Sequence, residues 1–198
     1  MTKRLAQIFT YCIIVGIIIG CVSSPPSYFY TLSSTLAPAL MPQANYSVSV
    51  GPVSVPAVVD RPQIVVRTGP YKVFIGEFDR WASPLKDDIA QVIVENLVSM
   101  LGTTQVTLFP QSTAAGASYR VMIYVLRFDS ELGKAATLDA LWTVSSAKNG
   151  QSHQGRTTLT EASQGDDYAA LVAAHSRALG QLSAEIAKTI RENEAQKP

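Results

Sequence analysis

Residues 118–129, SYRVMIYVLRFD, alternate in both registers and are apolar enough for a central strand. A strand that turns one face to water needs only one apolar register, so a segment apolar in both belongs inside a sheet. Two more strand patterns follow, AATLDALWTVSS at 135–146 and HQGRTTLTEA at 153–162, with Asn149-Gly150 between them. Asn-Gly readily adopts the left-handed backbone of a tight hairpin turn. The stretch from Ser118 to Ala162 therefore predicts an antiparallel meander, around which the rest of the chain must be arranged.

Upstream, Tyr28 to Leu32 is β-prone, and residues 33–46, SSTLAPALMPQANY, carry two prolines and read as a loop. Val48 and Val50, then Val53 and Val55, alternate on either side of Gly51-Pro52, which predicts two half-strands with a kink. Asp60-Arg61-Pro62 is a turn, because a residue before proline is pushed out of the α region. QIVVR (63–67) and YKVFIGEF (71–78) flank Thr68-Gly69-Pro70 as a hairpin. Residues 105–109 form one more short strand.

Two segments have helical spacing. The first opens at Ser83-Pro84, with Ser83 as N-cap, Pro84 in the first turn and Asp87 and Asp88 near the positive end of the helix dipole. Leu85, Ile89, Val92, Ile93, Leu97, Met100 and Leu101 share a face, and Gly102 stands where the helix should end. The second is capped by Asp166 or Asp167, carries Leu171, Val172, His175, Leu179, Leu182, Ile186 and Ile190 on one face, and gives way to a polar tail. The expected fold is α/β (α+β-like): a single domain at 28–192 with a mixed, largely antiparallel sheet of about eight short strands and two main helices, 84–101 and 167–191. Residues 193–198 are the tail.

The first 20 residues belong to a different class. Lys3 and Arg4 precede IFTYCIIVGIII, an apolar run from Ile8 to Ile19, and Gly20-Cys21 follows. A basic segment, a short apolar core and a small residue make a secretory signal. The run is well short of the roughly 20 residues that span a bilayer. Ile18-Ile19-Gly20-Cys21 resembles a bacterial lipobox, which makes Cys21 the lipidated first residue of the mature chain and residues 21–27 its tether. Removing residues 1 to 20 of the 198 takes away Lys3, Arg4 and Cys12 and leaves 178 residues with 14 basic and 15 acidic side chains. The remaining cysteine carries lipid, so no disulfide is expected. Val22 stands where an Asp would retain an enterobacterial lipoprotein in the inner membrane, which points to the outer one.

This balance gives no excess of Lys and Arg for counterion release, so nucleic-acid binding is not expected. Two histidines and two cysteines, far apart, do not make a zinc site, and no metal or other cofactor is expected. The chain lacks G-x-S-x-G, G-x-x-x-x-G-K-[ST], G-x-G-x-x-G and H-E-x-x-H. His175 lies on an apolar helix face and reads as a structural histidine, while His153 reads as solvated. Neighbouring Asp87 and Asp88 point about 100° apart on a helix, which suits a charge at the N-terminus better than acid–base work. No catalytic residue is assigned. Trp142, inside an alternating strand, reads as core or half-core. Trp81, in Arg80-Trp81-Ala82-Ser83-Pro84-Leu85, stands at a strand-to-helix junction where a ring could pack or meet a partner.

Several pieces resemble the PqiC family, the ABC-type transport auxiliary lipoproteins. They are the lipobox at Cys21, Tyr30-Thr31-Leu32, Val50-Gly51-Pro52-Val53, Asp60-Arg61-Pro62-Gln63-Ile64-Val65, Arg80 to Leu85, Tyr119-Arg120-Val121, Trp142, and Tyr168 with Leu171-Val172 along the last helix. Ala57-Val58-Val59 departs from the family, which more often has a tyrosine and a leucine there. The resemblance implies an outer-membrane lipoprotein facing the periplasm that is not an enzyme. Its implied partners are an MCE-domain protein (PqiB-like) and an inner-membrane component, with self-association into a homo-oligomeric ring and movement of lipid between membranes. The partner face is expected on the Val55–Pro62 loop and the Arg80–Pro84 junction, with Asp60, Arg61, Arg80 and Trp81 as candidate interface residues. A lipid-binding carrier and, more remotely, an envelope enzyme are the alternative readings.

Overall fold

In a computed structural model, Arg4 and residues 25–36, 44–110 and 116–195 are described. Eight strands and two helices run in the order β1 (Tyr28–Tyr30), β2 (Val48–Ser54), β3 (Gln63–Gly69), β4 (Lys72–Trp81), α1 (Leu85–Leu101), β5 (Val106–Leu108), β6 (Tyr119–Glu131), β7 (Ala135–Ser146), β8 (Ser152–Ala162) and α2 (Tyr168–Ala195). This is the α/β class expected. The rest of the expected signal segment, the expected anchor Cys21 and residues 37–43 of the expected loop lie outside the described residues.

The expected meander forms β6, β7 and β8, paired antiparallel in long ladders. Along β6 the burial alternates, with Tyr119, Val121, Ile123 and Val125 inward. Leu126 falls at a register shift between Val125 and Arg127, so the apolar second register of the sequence points partly outward, at Met122 and Tyr124.

The strands divide between two sheets, where the sequence suggested one. β5-β2-β6-β7-β8 form a five-stranded sheet and β1-β4-β3 a three-stranded one. Three short pairings are parallel, β1 with β4 and β2 with both β5 and β6. The kink at Gly51-Pro52 is a register shift within a single β2 strand. Gly51 has φ +121°, and a Cβ there would press on Phe109, just after β5, at 3.3 Å, so both backbone and space require glycine.

Both helices pack on one face of the five-stranded sheet. Leu85, Ile89, Ile93 and Leu97 of α1 and Leu179, Leu182, Ile186 and Ile190 of α2 are buried in one cluster with Val48, Val121, Leu138 and Val144, while Leu171 packs with Ala136 and Ala174. Gly102 ends α1 in the left-handed region, donating its N–H to the Val98 carbonyl. Ser83 does not cap α1. Pro84, with ψ 126°, is extended and occupies the cap position, and its carbonyl accepts from the Asp87 and Asp88 N–H groups. Asp167 does cap α2, accepting from the Ala170 N–H at 2.7 Å. The expected polar tail begins late: α2 continues to Ala195, because its last residues are good helix formers and Glu194 accepts a bond from the Tyr119 hydroxyl at 2.5 Å.

Candidate functional site

The turn after β2 begins at Pro56, whose carbonyl accepts from the Val59 and Asp60 N–H groups. Val59 is buried and fixes the turn to the core, which leaves Asp60 and Arg61 exposed. The next residue, Pro62, has no N–H to give but accepts from the Trp81 N–H at 2.7 Å, while the Ala82 N–H reaches the Tyr30 carbonyl at 2.8 Å. These bonds bring the turn and the β4–α1 junction together. Between them lies an open groove of about 320 Å³, with Asp60, Arg61 and Pro62 on one side and Trp81 to Leu85 on the other.

Trp81 forms part of the groove wall and is not an exposed anchor. It is only 5% exposed and packs edge-on against Phe128, ring centroids 6.2 Å apart. Of the two readings open for this ring, to pack or to meet a partner, the structure shows packing against Phe128, with the indole also lining the groove. Arg80, one residue earlier in the strand, points to the opposite face, where it pairs across β4 with Phe29 and Gln63. The structure thus joins Asp60, Arg61 and Trp81 and separates Arg80 from them. Lys86 makes an exposed 3.8 Å ion pair with Asp60, a contact worth little in water.

Behind Trp81 the aromatic contacts continue inward. Phe128 stacks on the His175 ring with centroids 3.8 Å apart, and His175 Nε2 lies 2.8 Å from the Ser130 hydroxyl. A serine bonded to a histidine invites comparison with a hydrolase, and three observations argue against it. Ser130 and His175 are both buried. Nδ1 has no partner that could orient the ring. The nearby Asp129 carboxylate is turned to Arg67 and Arg127 instead. Burial drives the His175 pKa down to about 3, which makes it a poor general base. It is a structural histidine, as its position on an apolar helix face suggests. No group of three or more His, Cys, Asp or Glu able to hold a metal occurs among the described residues.

A second polar constellation was missed in the sequence. Asp88, read as a dipole charge, is buried and accepts from the Leu32 N–H at 2.8 Å and the Thr31 hydroxyl at 3.0 Å. Asn96 bridges Ser34 and Ser183, and the Ser33 N–H reaches Ser176. The segment after β1 is therefore laced across both helices. One sign was available in the sequence: Asp88, Asn96, Ser176 and Ser183 interrupt otherwise apolar helix faces.

A family model for the ABC-type transport auxiliary lipoprotein component matches residues 30–187. No curated protein matches the chain. Among solved structures, an uncharacterized protein is 23% identical and superposes with a TM-score of 0.69, covering 84% of this chain and 99% of its own. A Xanthomonas campestris protein of family DUF330 is 22% identical with the same TM-score, covering 86% and 100%. At these identities the likeness shows the fold alone.

Proposed function

The chain belongs to the ABC-type transport auxiliary lipoprotein family, and from that premise we propose that it is the periplasm-facing docking component of an MCE-type system that moves lipid between membranes. In this reading Cys21 is lipidated, the anchor sits in the outer membrane, and the domain works without a catalytic step as a homo-oligomer. Its partners are an MCE-domain protein and, through it, an inner-membrane component.

The observation that carries the docking role is the groove between the Asp60–Pro62 turn and the Trp81–Leu85 junction. Trp81, Pro62, Pro84 and Leu85 give it an apolar lining, and Asp60 and Arg61 give it a charged rim. An apolar centre inside a polar rim is the usual anatomy of a recognition site.

Truncating Trp81 would be a poor test, since loss of a buried ring removes about 3 kcal/mol or more of stability. Ala82→Arg, at an exposed lining position, fills the groove without touching the core. Together with Arg61→Glu it is expected to abolish co-purification with the MCE protein while the unfolding temperature stays unchanged. Unimpaired co-purification would remove the groove from the interface. Separately, Cys21→Ala should release the protein from the outer-membrane fraction.

A further inference from the structure

Large apolar side chains are concentrated where the chain leaves the domain toward its anchor. Tyr71, at the β3–β4 turn, is 100% exposed; Phe29 is 64%, Tyr28 58% and Phe74 55% exposed. Exposed aromatics on one small three-stranded sheet and its hairpin need a reason. The register supplies one. β1 runs parallel to β4, with Tyr28 beside Asp79 and Tyr30 beside Trp81, so the chain entering β1 comes from the side of the β3–β4 turn. Cys21 precedes Tyr28 by seven residues, and Lys72 precedes Asp79 by seven. A seven-residue segment spans at most about 25 Å. A segment of that length is long enough to reach the level of Lys72, next to the fully exposed Tyr71.

We propose that the β3–β4 hairpin tip forms a membrane-seating surface, in which Tyr71 and Phe74 enter the headgroup layer of the bilayer that holds Cys21. This rests on the lipidation of Cys21. The chemistry fits the polar–apolar boundary of a membrane, where amphipathic aromatic rings concentrate. Lys72 stands at the tip, while the carboxylates of β4, Glu77 and Asp79, lie farther along the strand. A basic tip with acids set back favours an anionic lipid surface. The molecule's other exposed apolar face, at Met122, Tyr124 and Leu141, has no such link to the anchor. Arg67, close to the tip, bonds Asp129, and Met122 lies seven residues back along β6, about 23 Å away at strand spacing.

The mature lipidated chain has no free thiol, since Cys12 leaves with the signal and Cys21 is alkylated, so one introduced cysteine can be labelled uniquely. Tyr71→Cys, Phe74→Cys and Met122→Cys are each labelled with an environment-sensitive fluorophore in the full lipidated protein. The labelled proteins are reconstituted in phosphatidylethanolamine–phosphatidylglycerol vesicles, with folding confirmed by an unchanged unfolding temperature. The expected result is a blue-shifted emission at positions 71 and 74, with quenching by lipid-borne nitroxide several-fold stronger than at 122 and protection from aqueous iodide. Equal quenching at all three sites, in protein that floats with the vesicles, overturns the proposal and leaves the anchor intact. Protection from both quenchers at 71 and 74 also overturns it, by showing that protein covers the tip. Failure to float locates the error in the lipidation of Cys21, and the seating surface goes with it.

Discussion

The two sheets use the same side-chain types in opposite ways. On the inner face of the five-stranded sheet, large residues are closed in on every side: Leu138, Val121 and Val144 meet Leu179, Leu182 and Ile186 of α2, and the Trp142 indole lies over Gly155 and donates to Thr157 at 2.9 Å. On the three-stranded sheet Tyr28, Phe29, Phe74 and Phe78 remain in contact with water. Helices cover the first sheet. The second has β1 as an edge only three residues long; its Tyr30 meets Tyr168 of α2, ring centroids 5.9 Å apart, but Tyr28, Phe29, Phe74 and Phe78 stay exposed. Stability resides mainly in the first sheet, and the second is left free for contacts outside the chain.

The sharpest break in this contrast is a pair of truncations. Leu179→Ala removes a fully buried side chain and is expected to lower stability by about 3 kcal/mol. Phe74→Ala removes more atoms from an exposed site and should change it by about 0.5 kcal/mol or less. Chemical denaturation of both variants measures the difference; equal losses would mean that the exposed aromatics of the three-stranded sheet are covered as well, beyond Ile64, Val65, Val66 and Trp81, which already join the core. A second pair tests the same point with added atoms. A Cβ on Gly155 would come within 2.2 Å of the Trp142 ring, whereas one on Gly69 in the hairpin meets its nearest atom only at 3.9 Å. Gly155→Ala should therefore cost about 2 kcal/mol through overpacking, and Gly69→Ala should be close to neutral.

The first sheet was also the more legible in sequence. Period-two alternation from Ser118 to Ala162 marks β6, β7 and β8, and the spacing from Leu85 to Leu101 and from Leu171 to Ile190 marks both helices, because each element buries one face against another. Alternation says nothing about which strands pair. It could not show that β1 joins β4 while β2 joins β5 and β6, since those short parallel pairings are set by distant contacts. The candidate groove was half legible. Pro62 and Pro84 announce the turn and the junction, but the burial of Trp81 depends on Phe128, 47 positions away in the chain and visible only in the fold.

The lacing of the segment after β1 joins the two regions and can be cut. Asp88→Ala leaves the Leu32 N–H without its acceptor in a buried place, which should cost about 1.5 kcal/mol. Amide exchange should show that loss as faster exchange at Leu32 and Ser33 and not at β7. If exchange rises equally everywhere, the segment unfolds only with the whole domain.

The remaining effect is the one that depends on pH. Desolvation drives His175 to a pKa of about 3 in the folded protein, against 6.5 when exposed, although the nearby Asp129 charge works in the opposite sense. Below pH 6.5 the unfolded chain therefore takes up a proton at this position that the folded chain refuses. Stability should be flat above that pH and fall as pH drops toward 3, by about 1 kcal/mol per pH unit. The window from 6.5 down to 4.5 isolates this group. Asp129 and Asp139 change stability only lower down: burial would raise Asp129, but hydrogen bonds from Arg67 and Arg127 outweigh it, and those from Arg156 hold Asp139 down. His175→Gln can still bond Ser130 and carries no titrating ring, so its denaturation midpoint should stay level across the window in which the parent protein's falls. Parallel curves would mean that the stacked ring against Phe128 is open to water, and with it the inner face of the sheet that the rest of the comparison treats as closed.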